Sequence, residues 1–270
     1  GPSFVVTDPS YIPAGYAAAD GIQGGTAYAK WWVTQAGGAG TLAAAGVTVG
    51  SEWVRCKTCH AWDGMGNAAS YASRTGQSTG TASRPDVSTV DLRVTAAWAT
   101  PQQIFDSIQG TGGRSLNTQG NGHPDYSTSL TDAQIWNLVK FMREEWIYPD
   151  ALYYLAVDGP PVYTNSAGIV LSPTLTFYGV GADGDSVTGN AIFAATCAGC
   201  HGANGTAIDI AGASVGELVR TKPHEVWHKP KFGDIDNDSV AHMSPSLLVD
   251  TADLVDLYKA LTDTVTYPDI

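Results

Sequence analysis

Apolar positions recur at three- and four-residue spacing in several short stretches of the chain, which predicts a mainly α protein. Ile135, Leu138, Val139 and Met142 share one face of a helix that opens at Thr131-Asp132. Leu254, Leu257, Tyr258 and Leu261 do the same in a helix that opens at Thr251-Ala252-Asp253. Ser186 or Thr188 is placed to cap a helix that runs through Asn190 and Phe193 to Cys197. Pro101 and Pro223 stand where helices begin. Residues 156–185 break the pattern, with Pro160-Pro161, several glycines and the β-prone run Thr174-Leu175-Thr176-Phe177-Tyr178. They read as a linker with short extended pieces.

The stretches come in two matching sets. The first runs Pro101, Ile104-Phe105, His123-Pro124, then the helix at Thr131. The second runs Pro223, Val226-Trp227, Met243-Ser244-Pro245, then the helix at Thr251. His123 follows its proline by 22 residues and Met243 by 20. Two copies of one supersecondary plan account for this economically. The expected organisation is a first domain, 1–155, with an N-terminal extension over 1–50; a linker, 156–185; and a second domain, 186–270. The Ala- and Gly-rich extension reads as an assembly arm or as packing for the first domain.

Composition narrows the partners. The chain has 270 residues, a net charge of −12 and 31 glycines. An acidic surface disfavours nucleic acid, which needs clustered Lys and Arg. It suits a partner with a basic docking surface. No apolar run is long enough for a transmembrane helix. Gly1-Pro2 reads as a protease-cleavage scar, with a secretory leader removed upstream.

Cysteine usage changes the picture most. All four cysteines fall in two C-x-x-C-H motifs, Cys56-Lys57-Thr58-Cys59-His60 and Cys197-Ala198-Gly199-Cys200-His201. This is the attachment pattern of c-type heme. Two thiols three residues apart lie along one edge of a porphyrin and each adds to a vinyl group, while the adjacent His reaches the iron. A redox C-x-x-C does not need the His, and a zinc site would have to close across the 137 residues between Cys59 and Cys197. A disulfide within either short loop would be strained.

His60 and His201 are therefore the expected proximal ligands of two hemes. Each iron then needs a distal ligand from further along the chain. Met243, at the repeat position and before Pro245, is the candidate in the second half, with His242 as its rival. His123, which aligns with Met243, is the candidate in the first. Met65 is too near His60 to reach the opposite face, and Met142 belongs to a core stripe. His224 and His228 read as surface or heme-edge residues. Trp53, Trp62, Trp98 and Trp227 are expected to pack near the macrocycles.

The run from Gly189 through Cys197-Ala-Gly-Cys200-His201 to Gly205 resembles the opening helix, heme motif and Gly-rich turn of class I cytochrome c. His228-Lys229, Phe232-Gly233 and Met243-Ser244-Pro245 are similar to the distal segment of that family, so the resemblance covers about residues 181–265. The first half resembles more divergent bacterial multi-heme cytochromes, on Gly24-Gly25, Tyr28, Lys30-Trp31-Trp32 and Trp53-Val-Arg-Cys-Lys-Thr-Cys-His-Ala-Trp62-Asp63. In that group a His replaces the distal Met. Ser51-Glu52-Trp53 departs from the Ile-Phe pair of the second half. The resemblance implies tandem cytochrome c-like heme domains with Gly-rich loops, two covalently bound heme c groups, and a periplasmic or extracellular location in a bacterium.

Two six-coordinate irons, one His/His and one His/Met, imply a carrier of single electrons between redox proteins, with the His/Met site at the higher potential. The rivals are a catalytic diheme enzyme, peroxidase-like or acting on a small molecule, and a structural subunit of a longer conduit. The thiosulfate dehydrogenase version needs a free cysteine as distal ligand, and none remains.

Overall fold

The computed structural model describes residues 12–35, 39–72, 78–79, 82–83, 87, 89–120, 122–159, 163–164, 170–171, 173–238 and 240–270. Within them the protein is mainly helical, with four small two-stranded sheets.

The short α1 (Ala14–Ala17) leads into α2 (Gly21–Lys30), which starts where the Asp20 carboxylate accepts hydrogen bonds from the N–H groups of Ile22 and Gln23 at 2.9 and 3.0 Å. The first C-x-x-C-H motif forms α3 (Cys56–His60), followed by the β1–β2 hairpin (Ser78–Thr79 with Ala82–Ser83). Next come α4 (Leu92–Trp98), α5 (Pro101–Gln109) and α6 (Asp132–Lys140). Reciprocal capping boxes open α5 (Thr100 with Gln103) and α6 (Thr131 with Gln134).

α2 crosses α6 with almost no space between the backbones. A Cβ on Gly24 would lie 1.9 Å from the carbonyl oxygen of Asn137. Beside the crossing, the Asp20 N–H donates to the Asn137 side-chain oxygen at 2.8 Å.

The second half repeats this arrangement. α7 (Ser186–Ile192) is capped by Asp185, ahead of both Ser186 and Thr188 expected from the sequence, because its carboxylate accepts from the N–H groups of Val187 and Thr188. A π turn over Phe193–Cys197 carries the chain into α8 (Ala198–His201). After α9 (Val215–Thr221), Pro223 opens a single 3₁₀ turn, and α10 (His228–Phe232) follows. α11 (Thr251–Leu261) closes the chain and crosses α7. A Cβ on Gly189 would stand 1.9 Å from the Asp256 carbonyl oxygen, and the Asp185 N–H donates to the Asp256 carboxylate at 2.7 Å.

Between the halves, β3 (Tyr154–Asp158) pairs antiparallel with β6 (Thr174–Tyr178), enclosing the small pair β4 (Tyr163–Thr164) and β5 (Val170–Leu171). The connection is thus a sheet that begins just before the expected boundary at 155. Pro160 and Pro161 lie outside the described residues. A last pair, β7 (Asp234–Ile235) with β8 (Ala241–Met243), carries the second distal candidate.

One buried cluster runs through both halves. The region expected as an extension contributes α2 to it. Thr26 donates to the Phe232 carbonyl at 2.7 Å, and Gly25 faces the Phe232 ring so closely that a Cβ would meet it at 2.1 Å. Lys30 donates to the Ile235 carbonyl at 2.6 Å, and Lys231 pairs with Glu145 at 3.1 Å.

Candidate functional site

Each C-x-x-C-H motif folds as one helical turn, which places cysteines three apart on one face. Both turns end alike. The residue after the histidine has positive φ with extended ψ: 58° and 179° at Ala61, 77° and 163° at Gly202. Glycine accepts this conformation freely, whereas alanine is strained in it. Two groups hold the first turn from outside. The Tyr28 hydroxyl, on α2, donates to the Ala61 carbonyl at 2.5 Å, and the Trp146 indole donates to the Trp62 carbonyl at 2.7 Å.

None of the four cysteines is in a disulfide. Burial pushes the Cys56 thiol up to about 12, with the neighbouring Cys59 adding to it, and burial with Cys200 pushes Cys197 up to about 11. Redox-active C-x-x-C cysteines are shifted the other way, toward the thiolate. Among the described residues no group of three His, Cys, Asp or Glu side chains is gathered to hold a metal ion.

In the first half, burial pushes the His60 imidazole down to about 4, and the charge of His123 adds to that shift. The two rings thus influence each other electrostatically although 63 positions separate them in the chain. His60 Nδ1 is buried with no hydrogen-bond partner. His123 Nδ1 lies 2.8 Å from the Pro124 carbonyl oxygen, and donation there leaves Nε2 with its lone pair free to bind a metal. Arg114 fixes this loop against the motif. Its N–H donates to the His123 carbonyl at 2.9 Å, and its guanidinium donates to the Trp53 carbonyl at 2.6 Å. Burial lowers the His123 ring's affinity for a proton; Pro124 opposes the shift and Arg114 adds to it.

In the second half, Cys197, Cys200, His201 and Met243 all line one cavity of about 1230 Å³. This exceeds the roughly 300–1,000 Å³ of ordinary ligand pockets. Burial lowers the proton affinity of His201, and its Nδ1 is also buried without a hydrogen bond. Met243 ends β8 opposite Asp234. Gly233 (φ +81°) passes so near that a Cβ would come 2.9 Å from the Met243 carbonyl and 3.2 Å from the Pro245 ring. The loop after Met243 is tied to α10 by the Ser246 and Leu247 N–H groups.

The rival His242 also borders the cavity, but its Nε2 lies 2.5 Å from the Asp236 carboxylate. Met65 Sδ accepts from Arg93 at 2.9 Å, and Met142 is buried in the core. Trp53, Trp62 and Trp227 are buried, but Trp98 is 74% exposed, because it ends α4 on the outer side. His224 and His228 are not at the surface, with 6% and 5% exposure. His228 stacks on Trp62 at 3.8 Å with a 12° tilt, a contact between the halves that spacing within either half does not signal.

The donor sets fit c-type heme: two thiols on one helical turn, a histidine beside them, and a candidate second donor, His123 or Met243, on a later loop. Residues 43–146, which contain Cys56, Cys59, His60 and His123, match the family model for cytochrome c. The match supports a c-type cytochrome with covalently bound heme c and a heme-based electron-transfer role. It falls in the half that reads from sequence as the more divergent, and residues 181–265 lie outside it. No curated protein and no solved structure matches the chain. No helix among the described residues is long and apolar enough to cross a membrane.

Proposed function

We propose that the protein is a diheme c-type cytochrome that passes single electrons between redox partners. Supporting the reading are the electrostatic coupling of His60 to His123 beside one thiol pair and the presence of His201 and Met243 on one cavity beside the other. Heme iron, when bound, cycles between ferric and ferrous states and so carries one electron. The protein's part is to hold it. Cys56 and Cys59 anchor the first group, with His60 and His123 as axial ligands. Cys197 and Cys200 anchor the second, with His201 and Met243.

A thioether ligand raises the potential relative to a second imidazole, so the second site is the natural electron acceptor within the molecule. Both irons being six-coordinate leaves no position for a substrate, which favours a carrier over a catalyst. The net charge of −12 suits donors and acceptors with basic docking surfaces. Thioether attachment places the work outside the bacterial cytoplasm, in the periplasm or beyond.

Mass spectrometry of the intact protein, with optical and low-temperature EPR spectra of the oxidised state, tests the reading. Two attached porphyrins, both low-spin, with the weak long-wavelength band of His/Met ligation, are expected. A high-spin iron would turn the assignment toward a catalytic diheme enzyme.

A further inference from the structure

The loop that ends at His123 has little packing to hold it. From Gly112 to His123, Leu116 is the one buried side chain among the described residues. Hydrogen bonds do the holding, and they converge on Arg114. Its N–H donates to the His123 carbonyl at 2.9 Å, and its own carbonyl accepts from the Asp125 N–H at 2.7 Å. One residue thus closes the neck of the loop on both sides of Pro124. Beside the ring, Gly110 (φ +62°) leaves room for Nδ1, from which a Cβ would stand 2.7 Å away.

Two side chains tie this neck to the chain just ahead of Cys56. The Arg114 guanidinium donates to the Trp53 carbonyl at 2.6 Å and to the Thr118 carbonyl at 2.5 Å. The Tyr126 hydroxyl donates to the Val54 carbonyl at 2.7 Å, a buried bond, and its ring meets the His123 ring edge-on at 5.9 Å. Consecutive carbonyls at the entrance to the attachment turn are therefore gripped by one donor before His123 and one after it. The Met243 loop is anchored differently. Its Ser246 and Leu247 N–H groups donate to the Lys231 and Pro230 carbonyls of α10, both at 2.9 Å.

We propose that Arg114 and Tyr126 are positioning residues of the first heme site. By tethering the His123 loop to Trp53 and Val54, they set where His123 stands relative to the Cys56–His60 turn and keep an added ligand from displacing it. A tethered side chain competes with an added ligand in proportion to the fraction of molecules in which it is in place. The inference rests on His123 as the distal ligand of the first heme, as proposed above.

The test is a cyanide titration of the full ferric holoprotein, with porphyrins counted by mass. The parent is compared with Arg114→Gln, Arg114→Lys, Tyr126→Phe, Arg143→Gln and His123→Ala. EPR follows the first iron, and the long-wavelength His/Met band follows the second. Tyr126→Phe keeps its ring in the core, and the Val54 carbonyl still accepts from the Trp31 indole at 3.0 Å. Arg143→Gln removes a comparable bond, to the Ala99 carbonyl at 2.7 Å, that does not involve the His123 loop. Loss of one tether is expected to raise the first iron's cyanide affinity about tenfold in Arg114→Gln and in Tyr126→Phe, with the second iron unchanged. Arg114→Lys recovers part of the grip. Arg143→Gln lowers the urea midpoint and leaves cyanide affinity at the parent value. A first iron whose affinity is unchanged in either Arg114→Gln or Tyr126→Phe, or that rises equally in Arg143→Gln, overturns the proposal. His123→Ala is expected to give the tightest cyanide binding of the series. If it binds no better than the parent, the assignment of His123 as a ligand falls with it.

Discussion

Gly189 rests against the backbone of Asp256 with no room for a methyl group: a Cβ would stand 1.9 Å from the Asp256 carbonyl oxygen. Gly24 meets Asn137 at the same 1.9 Å. Each half is organised around a helix crossing whose tightness is set by a glycine.

Alanine at either glycine must push the helices apart. We expect Gly24→Ala and Gly189→Ala each to destabilise the protein by about 1–3 kcal/mol through overpacking. Gly199, on α8, has nothing within 4 Å of its would-be Cβ. Gly199→Ala should stay within about 1 kcal/mol of the parent, toward greater stability, as a helix-propensity gain. Urea denaturation midpoints at constant slope measure all three.

Ala61 presents the opposite case. Its φ of 58° with ψ of 179° is a conformation that Gly202 fills in the second half. Strain of this kind costs about 1–3 kcal/mol, and removing the buried methyl forfeits about 0.8 kcal/mol. Ala61→Gly should therefore gain about 1 kcal/mol, read as a higher thermal midpoint with heme content unchanged.

Axial ligation can be read from single substitutions. His123→Ala should leave one iron of two high-spin and open to added imidazole or cyanide, with the other unaffected. Met243→His should keep both irons low-spin, abolish the long-wavelength His/Met band and lower the higher of the two potentials. Spectra unchanged by either substitution would remove that residue from the ligand set.

Asp63 supplies a pH dependence. It is 2% exposed, and burial raises its carboxyl above the usual value against hydrogen bonds from Ser70 and Met65 and the charge of Arg93. A carboxyl with a raised folded pKa holds its proton longer in the fold than in the unfolded chain. Its contribution is full below the ordinary carboxyl pKa of 3.8 and is lost as pH rises through the folded value. Stability should fall across that window by at most about 1.4 kcal/mol per pH unit. Asp63→Asn should flatten this component of the slope, followed by denaturation at a series of pH values.

The sequence displays the attachment chemistry openly, because C-x-x-C-H is local and every residue in it is adjacent. It also displays the last helix of each half, through the Thr131 and Thr251 starts and the apolar stripes behind them. The opening helix of the first half is harder to see. Asp20 and Gly24 have the same spacing as Asp185 and Gly189, but Cys56 follows Asp20 by 36 positions and Cys197 follows Asp185 by 12. A comparison keyed on the cysteines slides past the match. The positions of His228 and Trp98 are set by which neighbours the other elements bring. His228 is covered by Trp62 from the other half, while Trp98, at the end of α4, stays 74% exposed.

The seating of Thr26 and Gly25 on Phe232 has a mechanical consequence. A helix so closely opposed to the end of α10 in the other half would hold the two proposed redox stations at a set separation. Transfer between them would proceed at one fixed tunnelling distance, indifferent to solvent viscosity, and its speed would be governed by driving force and reorganisation alone.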